Sequence, residues 1–211
     1  MEHSFWHRRW QKNEIGFHES EPNKLMVRSI DALKLAPNSV VFLPLCGKTL
    51  DIGWLLSQGH QVVGIELEVL AVEQLFKQLD RVPEIQVIND DLTCYQGENI
   101  TIYHGDILTL SKQQLGPEDA IYDRAAMVAL PAEMRTKYCR HMLTIRPAIN
   151  QLLIVFEYDQ NQLTGPPFAI SKSDIQSYYG QDYGVNLLDQ RKAEVRGVGV
   201  SELAFLLNTN H

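Results

Sequence analysis

A glycine and a glutamate stand where a sheet of parallel strands would hold a nucleoside. Gly47 lies in the turn after the apolar run of residues 40–43, and Glu66 ends a second apolar run 19 residues later. A small residue in such a turn lets a ligand approach the backbone, and a carboxylate at the tip of the second strand accepts hydrogen bonds from both ribose hydroxyls. Gly47 alone fits an ordinary turn glycine, whereas the pair favours a nucleoside site.

The same turn argues against a phosphate ligand. Gly47-Lys48-Thr49 is similar to the end of a P-loop, but Phe42 stands where the first glycine of that loop is required. The chain also lacks a G-x-G-x-x-G sequence, and a pyrophosphate needs close backbone contact at the start of the helix. NAD and FAD are therefore disfavoured, and an NAD-dependent reductase is the weaker alternative. A nucleoside without phosphates, such as S-adenosylmethionine, makes a smaller demand.

Polar groups also follow the next two predicted strands. Asp106 and Ile107 come after the predicted strand of residues 100–103, at a position from which the aspartate or the next backbone N–H meets an adenine. Asp123 and Arg124 come after the run of residues 120–122, at the edge where the substrates of such sheets lie. The alternatives are a turn cap for Asp106 and a solvated ion pair for Asp123 and Arg124.

The spacing of apolar residues predicts the elements that position these groups. Strands are predicted at residues 40–43, 62–65, 100–103, 120–122 and 152–158. Helices are predicted at residues 22–33, 51–58, after Glu66, between Pro131 and Pro147, and at 171–179. Residues 186–195 and 200–207 are strand candidates without a helix between them. The pattern predicts one α/β domain over residues 1–211, Rossmann-like, with a mostly parallel sheet, helices on both faces and a C-terminal antiparallel hairpin.

Aromatic residues are dense near the N-terminus, where Phe5, Trp6, Trp10 and Phe17 occur among charged residues. Two interpretations stay open. The segment is either a helix packed on the core or, over residues 1–20, a mobile lid that closes on the site.

Composition excludes several classes of protein. The net charge of −7 argues against a nucleic-acid partner, because such affinity depends on many Lys and Arg contacts to phosphates. Three separated cysteines and seven histidines form neither a disulfide framework nor a metal motif. No apolar run reaches the roughly 18 residues of a membrane span. We expect a cytoplasmic monomer without metal or membrane partner.

Several strings resemble the thiopurine S-methyltransferase family, in the form of a bacterial member. The resemblance covers residues 5–207 and is carried by five strings, which are Phe42-Leu43-Pro44-Leu45-Cys46-Gly47-Lys48, Gly59-His60-x-Val62-Val63-Gly64-Ile65-Glu66, residues 6–10, Asp123-Arg124 and Gly165-Pro166-Pro167-Phe168.

The resemblance implies a class I methyltransferase fold and transfer of a methyl group from S-adenosylmethionine to the sulfur of a thiopurine or related aromatic thiol. It implies cofactor contacts from Trp10, Leu45, Gly47, Glu66, Asp106, Ile107 and Arg124. Phe17 and Arg196 would bind the substrate, and Arg124 and Arg196 would act in catalysis. The partner is thus a small thiol or chalcogen compound. The alternatives are a methyltransferase of selenium or tellurium species and a catalytically silent nucleotide-binding protein of the same fold.

Overall fold

The structure is a computed structural model that describes residues 3–209. Residues 1, 2, 210 and 211 lie outside the described residues, and with them both ends of the predicted domain and the start of the predicted lid. The described chain divides into two compact units, residues 3–23 with 36–118 and residues 24–35 with 119–209. The single domain over the whole chain stays a prediction.

Seven α-helices and nine strands occur within residues 3–209. The helices are α1 His3–Gln11, α2 Lys24–Ser29, α3 Leu50–Ser57, α4 Val69–Gln78, α5 Lys112–Leu115, α6 Ala132–Ile145 and α7 Lys172–Tyr179. The strands are β1 Val40–Leu43, β2 Gln61–Glu66, β3 Glu84–Asn89, β4 Leu92–Gly97, β5 Ile100–His104, β6 Ala120–Arg124, β7 Gln151–Glu157, β8 Tyr183–Val195 and β9 Val198–Thr209.

In the first unit the strands follow the order β3-β4-β5-β2-β1. β2 runs parallel to β1 and to β5, with Leu43 opposite Gly64 and Glu66 opposite His104. The predictions of β1, β2 and β5 are therefore confirmed. The continuously apolar run of β1 matches a strand that is buried on both faces. β3 and β4 add an antiparallel ribbon that the sequence analysis missed.

In the second unit the strands follow the order β6-β7-β9-β8. β6 and β7 are parallel, whereas β9 is antiparallel to both β7 and β8. The predicted C-terminal hairpin is confirmed. Five of the nine strands in the described chain take part in parallel pairings, namely β1, β2, β5, β6 and β7.

Two of the predicted helices, α6 and α7, begin where the sequence predicts. α6 begins after Pro131 and ends before Pro147, as predicted. α7 begins at a capping box in which the Ser171 hydroxyl accepts from the Asp174 N–H at 3.1 Å. The Asp174 carboxylate accepts from the Ser171 N–H at 2.8 Å in return. Two orphan donors are thereby satisfied at the start of this helix.

Candidate functional site

The turn between β1 and α3 is held in an uncommon backbone conformation. Leu45 has a φ of 47° and Gly47 a φ of 54°, both in the left-handed region. That region costs a non-glycine residue roughly 1–3 kcal/mol, so the surroundings must fix the turn. The Cys46 N–H does so by donating to the Ile65 carbonyl of β2 at 3.0 Å.

This turn directs a backbone donor at the carboxylate of Glu66. The Gly47 N–H donates to Glu66 Oε2 at 2.7 Å, and the Glu68 N–H donates to Oε1 at 2.9 Å. Glu66 is only 7% exposed at the tip of β2. A carboxylate offers about four lone-pair positions, so these donors, with a smaller contribution from the Leu67 N–H, fix its orientation. The carboxylate keeps acceptor capacity for a ligand hydroxyl.

Burial also changes the proton affinity of this carboxyl group. Desolvation raises the pKa of Glu66 to about 7, against the opposite effect of the backbone donors of Glu68 and Gly47. The negative charge of Glu68 raises the pKa further. A ligand that donates hydrogen bonds to the charged carboxylate would lower the pKa again.

The N-terminal segment covers the turn. Trp10 on α1 is 4% exposed, and its ring lies 3.5 Å from the place that a Cβ on Gly47 would take. Phe17 packs edge-on against Trp10, with ring centroids 5.7 Å apart. The Lys48 ammonium lies 5.9 Å above the same indole ring and donates to Gln74 at 2.7 Å. The structure thus brings Trp10, Phe17 and Gly47 together, while opening of the segment stays a prediction.

A second contact connects this segment to Glu66 through Glu68. His7 Nδ1 on α1 lies 3.0 Å from Glu68 Oε2, and the backbone of Glu68 holds Glu66. The sequence analysis missed Glu68. Its signal was an acidic residue at the position just before α4, where a carboxylate favours the helix N-terminus.

Asp106 and Ile107 follow β5, as predicted. The Asp106 carboxylate accepts from the Leu108 N–H at 2.9 Å and caps the 3-10 turn Ile107–Thr109. This contact is the turn-cap alternative from the sequence analysis. The adenine contacts of Asp106 and of the buried Ile107 stay predictions.

These residues of the first unit fit the adenosyl group of the implied donor. The fixed Glu66 carboxylate keeps acceptor capacity for ribose hydroxyls, and the apolar Trp10 ring lies beside the Gly47 turn. The one lysine of the turn, Lys48, is engaged by Gln74 rather than directed at a phosphate position. The polar groups at this turn therefore suit a nucleoside without phosphates.

In the second unit, Asp123 is a structural residue. It is 1% exposed, and its carboxylate accepts from the Tyr138 hydroxyl at 2.6 Å and from the Met127 N–H at 3.3 Å. The alternative of a solvated ion pair is therefore wrong for Asp123, because α6 supplies a hydroxyl that replaces water. Arg124 is half-buried as the last residue of β6, and its contact with the cofactor stays a prediction.

The other arginine named above, Arg196, occupies the two-residue turn between β8 and β9. Its Nη2 donates to the Pro166 carbonyl at 2.6 Å. A contact with the substrate sulfur stays a prediction.

Comparisons with known proteins decide the family. The model of the family described as Thiopurine S-methyltransferase (TPMT) matches residues 1–205. The chain belongs to the thiopurine S-methyltransferase family. The thiopurine S-methyltransferase of Teredinibacter turnerae is 48% identical over 94% of this chain and 91% of its own length. That of Xanthobacter autotrophicus is 46% identical over 90% and 89%. Membership confirms the predicted class of S-adenosylmethionine-dependent methyltransferase.

Solved structures show the fold. A 1,6-didemethyltoxoflavin-N1-methyltransferase from Burkholderia thailandensis, with bound S-adenosylhomocysteine, superposes with a TM-score of 0.69 at 14% identity, over 99% of this chain and 87% of that chain. A magnesium protoporphyrin IX methyltransferase from Synechocystis, with bound S-adenosylmethionine, gives 0.65 at 14% identity, over 98% and 97%. The predicted class I methyltransferase fold is confirmed.

Membrane spans and metal clusters are absent from the described part of the chain. Among residues 3–209, no helix is both long and apolar enough to cross a membrane. No group of three His, Cys, Asp or Glu residues in that range is arranged to hold a metal ion. The cytoplasmic location, the monomeric state and the lack of a nucleic-acid partner stay predictions.

Proposed function

We propose that this chain methylates the sulfur of thiopurines or related aromatic thiols, with S-adenosylmethionine as donor and S-adenosylhomocysteine as product. The observation that carries the proposal is the buried Glu66 carboxylate, fixed by the N–H groups of Gly47 and Glu68 in a chain of this family. Phe17, which packs against Trp10 beside that turn, suits a flat aromatic acceptor.

The bound donor supplies a sulfonium whose methyl carbon is already activated. The residues of the chain therefore need to hold and orient the reactants, and orientation alone supplies roughly 7–11 kcal/mol in favourable cases. Glu66 holds the ribose, and the Gly47 turn lets the donor approach the backbone. A strong base is not required, because an aromatic thiol ionises more readily than an alkyl thiol.

Arg124 and Phe17 complete the proposal, on the strength of the family resemblance. We assign Arg124 to the carboxylate of the donor, because a planar guanidinium binds a carboxylate with two parallel hydrogen bonds. Phe17 faces the acceptor. The segment that carries Trp10 and Phe17 excludes water when it closes over the reactants, which protects the thiolate from hydration.

The proposal is tested with isotope-labelled donor and a panel of aromatic thiols, alkyl thiols, selenide and tellurite. We expect the largest kcat/KM for aromatic thiols, at least about tenfold above alkyl thiols. A preference for selenide or tellurite would replace the proposed acceptor with a chalcogen species. Binding of S-adenosylhomocysteine without turnover of any acceptor would favour the catalytically silent protein.

A further inference from the structure

Hydrogen bonds from several parts of the second unit hold the loop of residues 165–168. The Arg196 guanidinium donates to the Pro166 carbonyl at 2.6 Å, and the Tyr158 hydroxyl donates to the Pro167 carbonyl at 2.5 Å. The Phe168 N–H donates to the Val128 carbonyl at 2.6 Å. Consecutive carbonyls are thus held by side chains from two different elements, the end of β7 and the turn between β8 and β9.

This loop lies where the second unit would contact a ligand. It follows β7, and its contact with Val128 places it beside the segment that follows β6. Parallel strands of α/β proteins bind ligands outside their carboxyl ends. The loop therefore lies at the ligand-binding end of β6 and β7.

The backbone at Arg196 is strained for a residue of its type. Arg196 has a φ of 50° and Gly197 a φ of 78°, in a two-residue hairpin turn closed by the pair Val195 and Val198. Both central positions of such a turn favour Asn, Asp or Gly, so an arginine there carries a conformational cost. The bond to Pro166 offsets this cost and gives the guanidinium a fixed direction.

Tyr158 shares its surroundings with Arg196. Desolvation raises the pKa of the Tyr158 hydroxyl, while a hydrogen bond with Gln160 and the positive charge of Arg196 lower it. Gln160 Oε1 also accepts from the Ala169 N–H at 2.8 Å. The hydroxyl and the guanidinium thus act on the same short stretch of backbone.

We propose that Tyr158 and Arg196 are positioning residues that together hold the loop of residues 165–168 as a wall of the acceptor site. Arg196 then acts through the Pro166 carbonyl rather than on the substrate sulfur. This inference rests on the proposed function, because it takes an aromatic thiol as the acceptor.

The kinetic test uses Tyr158→Phe, Arg196→Gln and the double variant, with aromatic thiols of graded acidity. Each single variant removes one side-chain hydrogen bond to a carbonyl of the loop, so we expect the acceptor KM to rise about three- to tenfold, equally for acidic and weakly acidic thiols. The affinity for S-adenosylhomocysteine stays within about twofold of the parent. The rise in acceptor KM in the double variant is smaller than the product of the two single rises, because either single change already releases the loop. Lys192→Met, which removes an exposed cation from β8, matches the parent.

Two kinetic results would overturn the inference. A loss in Arg196→Gln that grows with the pKa of the thiol, without a loss in Tyr158→Phe, would place Arg196 on the sulfur. Single losses that multiply in the double variant would mean that the two residues act separately.

Hydrogen exchange separates this inference from the proposed function. In the protein without ligands, Tyr158→Phe and Arg196→Gln should each speed exchange of the Phe168 amide at least about threefold, whereas Lys192→Met should not. Unchanged exchange in both variants would refute the role of Tyr158 and Arg196 in holding the loop, even if aromatic thiols are methylated. Faster exchange in a protein that methylates no thiol would refute the proposed function but support the role of the two residues in holding the loop.

Discussion

Glu66 and Asp123 are both carboxylates buried at the end of a strand, and burial raises the pKa of both, to about 7 and about 6 respectively. Their partners differ. Glu66 is held by two backbone N–H groups from the turn and the start of α4, which leaves acceptor positions. Asp123 accepts from the Tyr138 hydroxyl and from the Met127 N–H.

The hydrogen-bond partners of a buried carboxylate indicate whether it is available to a ligand or belongs to the core. A carboxylate whose partners are backbone groups of a turn and a helix start is oriented by the backbone alone and keeps acceptor capacity. A carboxylate that accepts from the hydroxyl of a fully buried tyrosine, as Asp123 does, is part of the core. The hydroxyl satisfies the buried carboxylate in place of water or a ligand. Perturbed pKa values alone do not separate the two cases.

The largest difference between the two acids is expected when each is neutralised in the same manner. We expect Glu66→Gln to weaken S-adenosylhomocysteine binding roughly 10- to 150-fold, because a charge-assisted hydrogen bond is lost and the new amide opposes a backbone N–H. Asp123→Asn should change the affinity less than about threefold. Isothermal titration calorimetry on variants with parent-like circular dichroism measures both. Equal losses would remove the distinction between the two acids.

Removing the partner of Asp123 should affect stability and not binding. Tyr138→Phe deletes the hydroxyl that donates to Asp123 at 2.6 Å, so we expect a loss of about 1–3 kcal/mol in the free energy of unfolding. Affinity for S-adenosylhomocysteine should remain within about twofold. Urea unfolding and calorimetry test this, with Tyr178→Phe on α7 as the matched control. Weaker ligand binding at full stability would give Asp123 a role in the site.

Arg124, the residue after Asp123, tests whether the end of β6 contacts the donor. Arg124→Lys replaces a planar fork with a point charge, so the KM for S-adenosylmethionine should rise about three- to tenfold. If Arg124 chiefly stabilised a thiolate, turnover would fall most for thiols of high pKa. Kinetics across aromatic thiols of graded acidity separates these roles. A variant that matches the parent in both respects would make Arg124 a surface charge.

A smaller effect is expected from pH. The pKa of Glu66 in the free protein is about 7, and hydroxyls that donate to the carboxylate would lower it in the complex. Affinity for S-adenosylhomocysteine is therefore full only well above pH 7 and falls as the pH drops through this pKa, by about fivefold between pH 7 and pH 6. The amino and carboxyl groups of the ligand titrate outside this window.

The pH profile has two controls. Glu66→Gln should bind with an affinity that is independent of pH. Since the His7 ring contacts Glu68 at 3.0 Å, the profile is also measured in His7→Gln, which should keep the slope of the parent. A flat profile in the parent, or the same slope in Glu66→Gln, would contradict the assignment.

The arrangement of Gly47 and Glu66 in the first unit is predictable from the sequence because its signals are local. The apolar runs of β1 and β2 and the spacing of Gly47 and Glu66 are enough to place the turn and the acid at neighbouring strand ends. The capping box of Ser171 likewise predicts the start of α7.

Other features depend on contacts that spacing does not encode. β3 was missed because its alternation of polar and apolar residues is confined to residues 84–87, and all six of its residues are exposed in the structure. Asp123 was left between two roles because its partner, Tyr138, lies 15 residues away on another element. The bond from Arg196 to Pro166 spans 30 residues and had no sequence signal.

The claim that Glu66 holds the ribose is tested most directly with two ligands and two proteins. S-adenosylhomocysteine and its analogue without both ribose hydroxyls are titrated into the parent and into Glu66→Ala. We expect the parent to prefer the hydroxylated ligand by at least about tenfold, and Glu66→Ala to bind the two ligands within about twofold of each other. An undiminished preference in Glu66→Ala would mean that the ribose hydroxyls are held by another group.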